Sequence, residues 1–219
     1  MKILVMSCDK NNDLWEPFYH CIEKYWPNHP EIIYSTETLN NPYYKTICLN
    51  YTIEKWTKRA RETVEKIDDK YILLMCDDIF ITNYVDESNI ESLINYIDND
   101  TASINLHICS KSDNKKVNNL INIRNKHNCL TSVMCGIWNK SNLIKIFSID
   151  RTPWELEESS NDYNNYKFFI VNKSNIINFG YNKKGDLFGV FMGKWIRKTV
   201  NFLLNDGCNI DTSIRGFYD

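Results

Sequence analysis

Up to about residue 110 the hydrophobic pattern alternates between two periods, and that alternation limits the fold more than any other feature. Short continuous apolar runs mark strands buried on both faces. Between them lie stretches whose apolar residues recur every three or four positions, the mark of amphipathic helices. Lys2–Ser7 (KILVMS) reads as a first buried strand. From Asp13 to Trp26, Leu14, Phe18, Cys21, Ile22 and Tyr25 share one helical face, and Pro27 closes the segment. Glu31–Tyr34 (EIIY) is a second strand and Asn-Asn-Pro at 40–42 a loop. Thr52–Ile67 is a strong helix with Ile53, Trp56, Ala60, Val64 and Ile67 on its apolar face. Tyr71–Cys76 is the next strand and Ser88–Ile97 the next helix. Such alternation argues for βαβ units, hence an α/β fold with a mostly parallel sheet flanked by helices.

The remainder is less regular. Ala102–His107, Thr131–Trp138 and Phe168–Asn172 read as strands, and Ser110–Asn128 as a polar loop or edge. Ser141–Phe147 reads as a helix and Gly193–Leu204 as the last one. No repeat or linker interrupts the chain, so a single domain over 1–219 is expected. At this length a chain buries roughly 70% of the surface its unfolded form exposes and needs no staples. A formal net charge of −2 argues against a nucleic-acid partner, which selects a basic face. The eight cysteines are scattered with no C-x-x-C pair, which argues against structural zinc. No apolar run approaches the ~20 residues that span a bilayer, and the N-terminal one is too short for a signal-peptide core. Reduced thiols and a cytoplasmic location are the expectation.

One strand ends in a way that needs a reason. In KYILLMCDDIFI (70–81) an apolar run meets two adjacent acids, Asp77 and Asp78, and then turns apolar again. Neighbouring carboxylates repel, and burying either without a partner is costly or forces it to protonate. In open α/β sheets ligands sit beyond the carboxyl ends of the strands. Asp9 follows the first strand, and Asp77 and Asp78 follow the third, so all three reach one rim. A divalent cation relieves the repulsion. Mg²⁺ takes one or two protein carboxylates and completes its shell with substrate phosphates and water. The pair therefore suggests a metal carried by a nucleotide diphosphate. The plainer reading has Asp77 capping a turn and Asp78 bridging a lysine.

S-C-D-K-N-N-D-L-W (7–15), W-T-K-R (56–59) and Y-I-L-L-M-C-D-D-I-F (71–80) together resemble the sugar-nucleotide glycosyltransferases of the GT-A fold. The likeness is to the small ones of bacterial capsule, lipopolysaccharide and viral glycan clusters. G-I-W-N-K (136–140), P-W-E-L-E (153–157) and G-K-W (193–195) are similar to that family's C-terminal features, so the likeness runs across nearly the whole chain. It implies a GT-A-like fold, with 1–110 as the nucleotide-sugar-binding half and 111–219 as the acceptor-side half. It also implies an enzyme that moves a sugar from a nucleotide-diphosphate donor to a hydroxyl of a glycan or lipid-linked acceptor, by metal-assisted direct displacement.

The same resemblance sets Asp77-Asp78 at the family's D-x-D motif for metal and diphosphate, with Cys76 at the first acidic position. Asp78 is then the leading ligand for Mn²⁺ or Mg²⁺, and Asp77 touches ribose or the metal shell. Ser7, Cys8 and Asp9 would meet base and ribose. Trp56 and Arg59 share a helix face, where Arg59 would grip the diphosphate through its planar fork. The alternative is that Trp56 is core and Arg59 a solvated charge. Lys194 would stand beside the departing diphosphate. Displacement needs a carboxylate to take the proton of the attacking hydroxyl. Glu157 is the first candidate and Glu155 the second, beside Trp154, an aromatic suited to stacking on a sugar ring. These acids equally suit the first turn of a helix after Pro153. The basic amphipathic last helix either makes peripheral contact with the inner face of a membrane or packs on its own domain. No glycine precedes Gly136, which removes the phosphate loop of a sugar nucleotidyltransferase. The other class left open is a non-catalytic binding or scaffold protein on a degenerate GT-A fold, favoured by Cys76 standing where an acid is expected.

Overall fold

The computed structural model describes residues 1–106, 115–118, 121–123, 130–172, 176–179 and 189–218. β1 (Lys2–Met6) leads through a 3-10 turn, Asp9–Leu14, into α1 (Trp15–Tyr25). β2 (Ile32–Thr36), β3 (Lys45–Cys48), α2 (Trp56–Glu65), β4 (Tyr71–Cys76), α3 (Glu87–Ile94) and β5 (Thr101–Asn105) follow. The later half holds β6 (Lys115–Lys116), β7 (Ile121–Ile123), β8 (Cys135–Asn139), α4 (Lys140–Ile146) and α5 (Pro153–Glu158). It ends with β9 (Lys167–Val171), β10 (Val190–Phe191), β11 (Lys194–Ile196), α6 (Arg197–Asn205) and β12 (Phe217–Tyr218).

The alternation expected from sequence is present, with several differences. The strand expected from Thr131 begins only at Cys135, and the helix expected from Thr52 starts as a 3-10 turn and becomes α2 at Trp56. β3 follows the expected loop at 40–42, and its residues are only partly buried, so it lacks the apolar run of a central strand. The expected helix from Gly193 is split: Lys194 and Trp195 pair with β10, because the Met192-Gly193 turn folds the chain back, and α6 starts at Arg197. The polar 110–128 segment contributes β6 and β7 at the sheet edge, while His107 and most of that segment lie outside the described residues.

Among the described residues, nine strands form one sheet in the order β3-β2-β1-β4-β8-β5-β9-β7-β6, and β10, β11 and β12 form a second. Seven strands of the large sheet run the same way; β8 and β7 run against them. The fold is thus α/β, a mostly parallel sheet flanked by helices. β2 and β3 step away from β1 on one side and β4 returns on the other, so the strand order reverses between β1 and β4. Such a switch point leaves a crevice outside the carboxyl ends of the two strands. Met6 pairs with Cys76, which brings Ser7 and Asp77 side by side there.

Alternate residues of a strand face opposite ways, so each side of the sheet has its own core. Ile3 and Val5 pack with Phe18 and Ile22 of α1, Leu93 of α3 and Leu203 of α6 on one side. Leu4 and Met6 pack with Ala60 and Val64 of α2, Leu143 of α4 and Leu156 of α5 on the other. Each fully buried aliphatic side chain contributes about 1.5–3 kcal/mol, so these layers hold the strand ends in place. The six cysteines described are all free thiols. No helix among the described residues is long and apolar enough to cross a membrane.

Candidate active site

Two layers meet at the crevice, and the lower one is a closed polar network. The Ser7 hydroxyl, just past β1, donates to Asp77 Oδ2 and accepts from Trp15 Nε1 at 2.8 Å. Asn11 Nδ2 donates to the other oxygen, Oδ1, at 3.0 Å. Both oxygens of Asp77 are engaged, and the residue is 1% exposed. Burial, then the neighbouring Asp78, pushes its carboxyl up to about 7 against the pull of Ser7 and Asn11. Arg59, 2% exposed, reaches in from α2. Its Nη2 donates to the Ser7 carbonyl at 2.6 Å, and its Nη1 meets Glu37 Oε1 at 2.5 Å as an ion pair without hydrogen-bond alignment. Glu37 accepts the Asp9 N–H at 2.6 Å. Asp9 in turn accepts from the N–H groups of Thr38 and Leu39, both at 3.1 Å, and from the Thr38 hydroxyl. Burial opposes its ionisation, but those bonds outweigh burial and hold its carboxyl below the usual range.

Beside this network opens a cavity of about 530 Å³, lined among others by Asn11, Cys76, Asp78, Trp154, Glu157 and Arg215. Burial pushes the Asp78 carboxyl up to about 6, while its own N–H and the charge of Arg215 draw it down. Gly189, which leads into β10, lies hard against this residue. A Cβ there would stand 2.1 Å from the Asp78 carbonyl oxygen and 2.4 Å from the Phe80 ring, so only glycine permits the approach.

α5 forms another wall. Thr152 Oγ1 accepts the N–H of Glu155 at 3.2 Å, and Glu155 Oε2 accepts the N–H of Thr152 at 2.8 Å, a capping box with Pro153 in the first turn. Leu156 anchors the helix in the core. Trp154 and Glu157, three positions apart, share the face turned to the cavity, and Trp154 is 65% exposed. The rim is the β10–β11 turn, where Met192 adopts φ 50° beside Gly193 at φ 77° and is 79% exposed. That conformation costs a non-glycine residue about 1–2 kcal/mol.

Arg215 enters from the segment between α6 and β12. Its Nε and Nη2 donate to the two oxygens of Asp13, each at 2.6 Å. Nη2 also reaches the Lys10 carbonyl at 2.8 Å and Asn11 Oδ1 at 3.0 Å. Asp13 is held in this fork instead of capping α1, whose start has no side-chain cap.

The residues expected from sequence therefore separate. Asp78, Glu157 and Trp154 line the cavity. Ser7, Asp9, Arg59 and Asp77 make up the network beneath. Cys8 is half-buried, its thiol pushed up to about 11 by burial and the charge of Asp77. Trp56 is core, its ring centroid 5.8 Å from that of Phe147. Glu155 closes the capping box and is exposed outside the cavity lining, and Lys194 lies exposed on β11, also outside it. Arg215, Asn11 and Gly189 went unnoticed in the sequence. Glycine is scarce enough, seven in 219 residues, for Gly189 to have prompted a question. Arg215 has no local signal, since its partner Asp13 lies 202 positions away.

Among the described residues no three or more His, Cys, Asp or Glu gather into a preformed metal site. With both oxygens of Asp77 engaged, Asp78 is the carboxylate of the pair that opens to the cavity. One such carboxylate fits a cation that arrives with its own phosphates, as Mg²⁺ does, and not one held in an all-protein cage.

No protein-family model matches the chain, and no curated protein does. Solved structures are similar to it at low identity. A cytidylyltransferase from Leptospira borgpetersenii serovar Hardjo-bovis is 13% identical with a TM-score of 0.42, over 72% of this chain and 68% of that one. TarS of S. aureus in complex with UDP is 13% identical with a TM-score of 0.48, over 78% of this chain but only 57% of that one. The galactosyltransferase LgtC, in complex with donor and acceptor sugar analogs, is 10% identical with a TM-score of 0.42, over 100% of this chain and 87% of that one. At these identities and scores the likeness assigns no chemistry to any residue here.

Proposed function

We propose that the cavity binds a nucleotide-diphosphate sugar and transfers its sugar to a hydroxyl of a glycan or glycolipid acceptor. The observation that carries this reading is the meeting, at the topological switch point, of Asp78 with Glu157 and the exposed Trp154 in one cavity. The donor's nucleoside lies over the end of β1, near Cys8, and the acceptor ring stacks on Trp154. Glu157 takes the proton of the attacking hydroxyl. The acceptor oxygen forms a bond to the anomeric carbon as the bond from that carbon to the diphosphate breaks, and the electron pair leaves with the diphosphate. Asp78 would hold Mg²⁺ or Mn²⁺, which when bound neutralises charge on the diphosphate. Asp77 serves from below, keeping Ser7 and Asn11 in place. Both halves of the chain contribute, since Asn11, Cys76 and Asp78 come from 1–110 and Trp154, Glu157 and Arg215 from 111–219.

The test is a panel of UDP-, GDP- and dTDP-sugars, with simple glycosides as acceptors, followed by release of nucleoside diphosphate. Turnover of one donor class is expected. Tight nucleotide binding with no turnover across donors and acceptors favours the binding-protein reading instead.

A further inference from the structure

The cavity's charge balance leaves a gap that one residue fills. Among its described lining residues the carboxylates are Asp78 and Glu157, and Arg215 is the one cation. A diphosphate entering here lies beside Asp78 and needs a cationic hydrogen-bond donor. The cations expected from sequence are elsewhere: Arg59 is buried on the Ser7 carbonyl and Glu37, and Lys194 is exposed on β11. We propose that Arg215 is the diphosphate-binding residue of the donor site. This rests on the transferase reading above and adds the residue that discriminates a nucleoside diphosphate from a monophosphate.

The geometry suits that role. Asp13, the Lys10 carbonyl and Asn11 fix the Nε and Nη2 atoms of Arg215, while Nη1 makes no hydrogen bond among the described residues. The guanidinium is therefore oriented before any ligand arrives, so little rotamer freedom is lost on binding. Asn11 accepts from Arg215 and donates to Asp77, which ties the guanidinium to the end of β4 where Asp78 sits. The carrying segment is itself held: β12 pairs with β11, and the Trp195 N–H donates to the Gly216 carbonyl at 3.0 Å. Residues near the chain's C-terminal end thus complete a site begun at its first strand.

The experiment compares, by calorimetric titration with Mg²⁺ present, UDP with UMP, GDP with GMP and dTDP with dTMP. The proteins are the wild type, the pair-neutralising variant Asp13→Asn/Arg215→Gln, and Arg215→Lys. The double change removes Arg215 without stranding a buried carboxylate. The lysine variant keeps the charge and loses the fork, so it serves if the double variant does not fold. The wild type is expected to prefer the diphosphate of one base at least about tenfold. In the double variant that preference should shrink at least about fivefold with monophosphate affinity kept, and in Arg215→Lys it should shrink by less. A preference unchanged in both variants overturns the assignment of Arg215 while leaving the transferase reading standing. A wild type that binds none of the nucleotides overturns both.

Discussion

The network under β1 and β4 and the cavity beside it are built from the same residue types and put them to opposite uses. In the network, Asp77 and Arg59 satisfy partners from the protein itself: Ser7 and Asn11 for the acid, the Ser7 carbonyl and Glu37 for the base. In the cavity, Asp78 and Arg215 stand where a ligand can reach them. One position along the chain separates a carboxylate that fixes strand ends from one that lines a cavity. The lesson is that an acid pair at a strand end need not act as a pair. In the turn after β4 one member faces inwards to Ser7 and Asn11 and the other lines the cavity.

That contrast can be broken most sharply at Glu157. The Glu157→Gln change keeps size and removes the base, so sugar transfer should fall about 10²–10⁴-fold in initial-rate assays. A rate within a few-fold of wild type would end the role given to Glu157. Arg59→Ala should do the reverse. It strands Glu37 and the Ser7 carbonyl, and urea denaturation should show about 3 kcal/mol lost. Nucleotide affinity of the folded fraction should change much less than in Asp78 variants.

The rim offers a smaller effect with the opposite sign. Met192→Asn places a residue that tolerates positive φ next to Gly193, in the Asn-Gly pattern that two-residue hairpin turns favour. Stability should rise by about 1 kcal/mol while nucleotide affinity stays constant. A loss of stability would show that the Met192 side chain contributes more than its strained backbone costs.

The smallest effect comes from an exposed pair far from both layers. Lys167 Nζ meets Asp98 Oδ2 at 2.7 Å, and that hydrogen bond with one from Thr101 holds the Asp98 carboxyl down to about 2. A carboxyl depressed below its unfolded value of ~3.9 contributes stability above that pH and loses it as pH falls towards the folded value. Solvent screening keeps that contribution small. Lys167→Ala should remove it at pH 7 and change little at pH 2, as read by denaturation at the two pH values.

The framework was legible because burial on both faces writes itself into continuous apolar runs: β1, β4 and the α2 face from Trp56 to Val64 fall where the period put them, while Ile53 is exposed in a 3-10 turn before the helix. β3 was not legible, since a partly buried strand carries no such run. Nor was the split of the last helix, because a Met-Gly turn does not announce a hairpin. At the site, Asp78, Glu157 and Trp154 were visible as a strand-end acid and a helix face. The fates of Asp77 and Arg59 were not, because a composition of acids and bases does not say which will be satisfied by protein and which left to a ligand. Arg215 depends on a contact between the two ends of the chain, and a single sequence holds no trace of it.

The central claim is that Asp78 opens onto a nucleotide-sugar site. It is tested most directly by calorimetric titration of UDP, GDP and dTDP, each with Mn²⁺ and with EDTA, on the wild type and on Asp78→Asn. The account expects micromolar binding of one nucleotide by the wild type, weakened at least about tenfold by the substitution. Equal binding by both proteins, or no binding of any of the three, would contradict it.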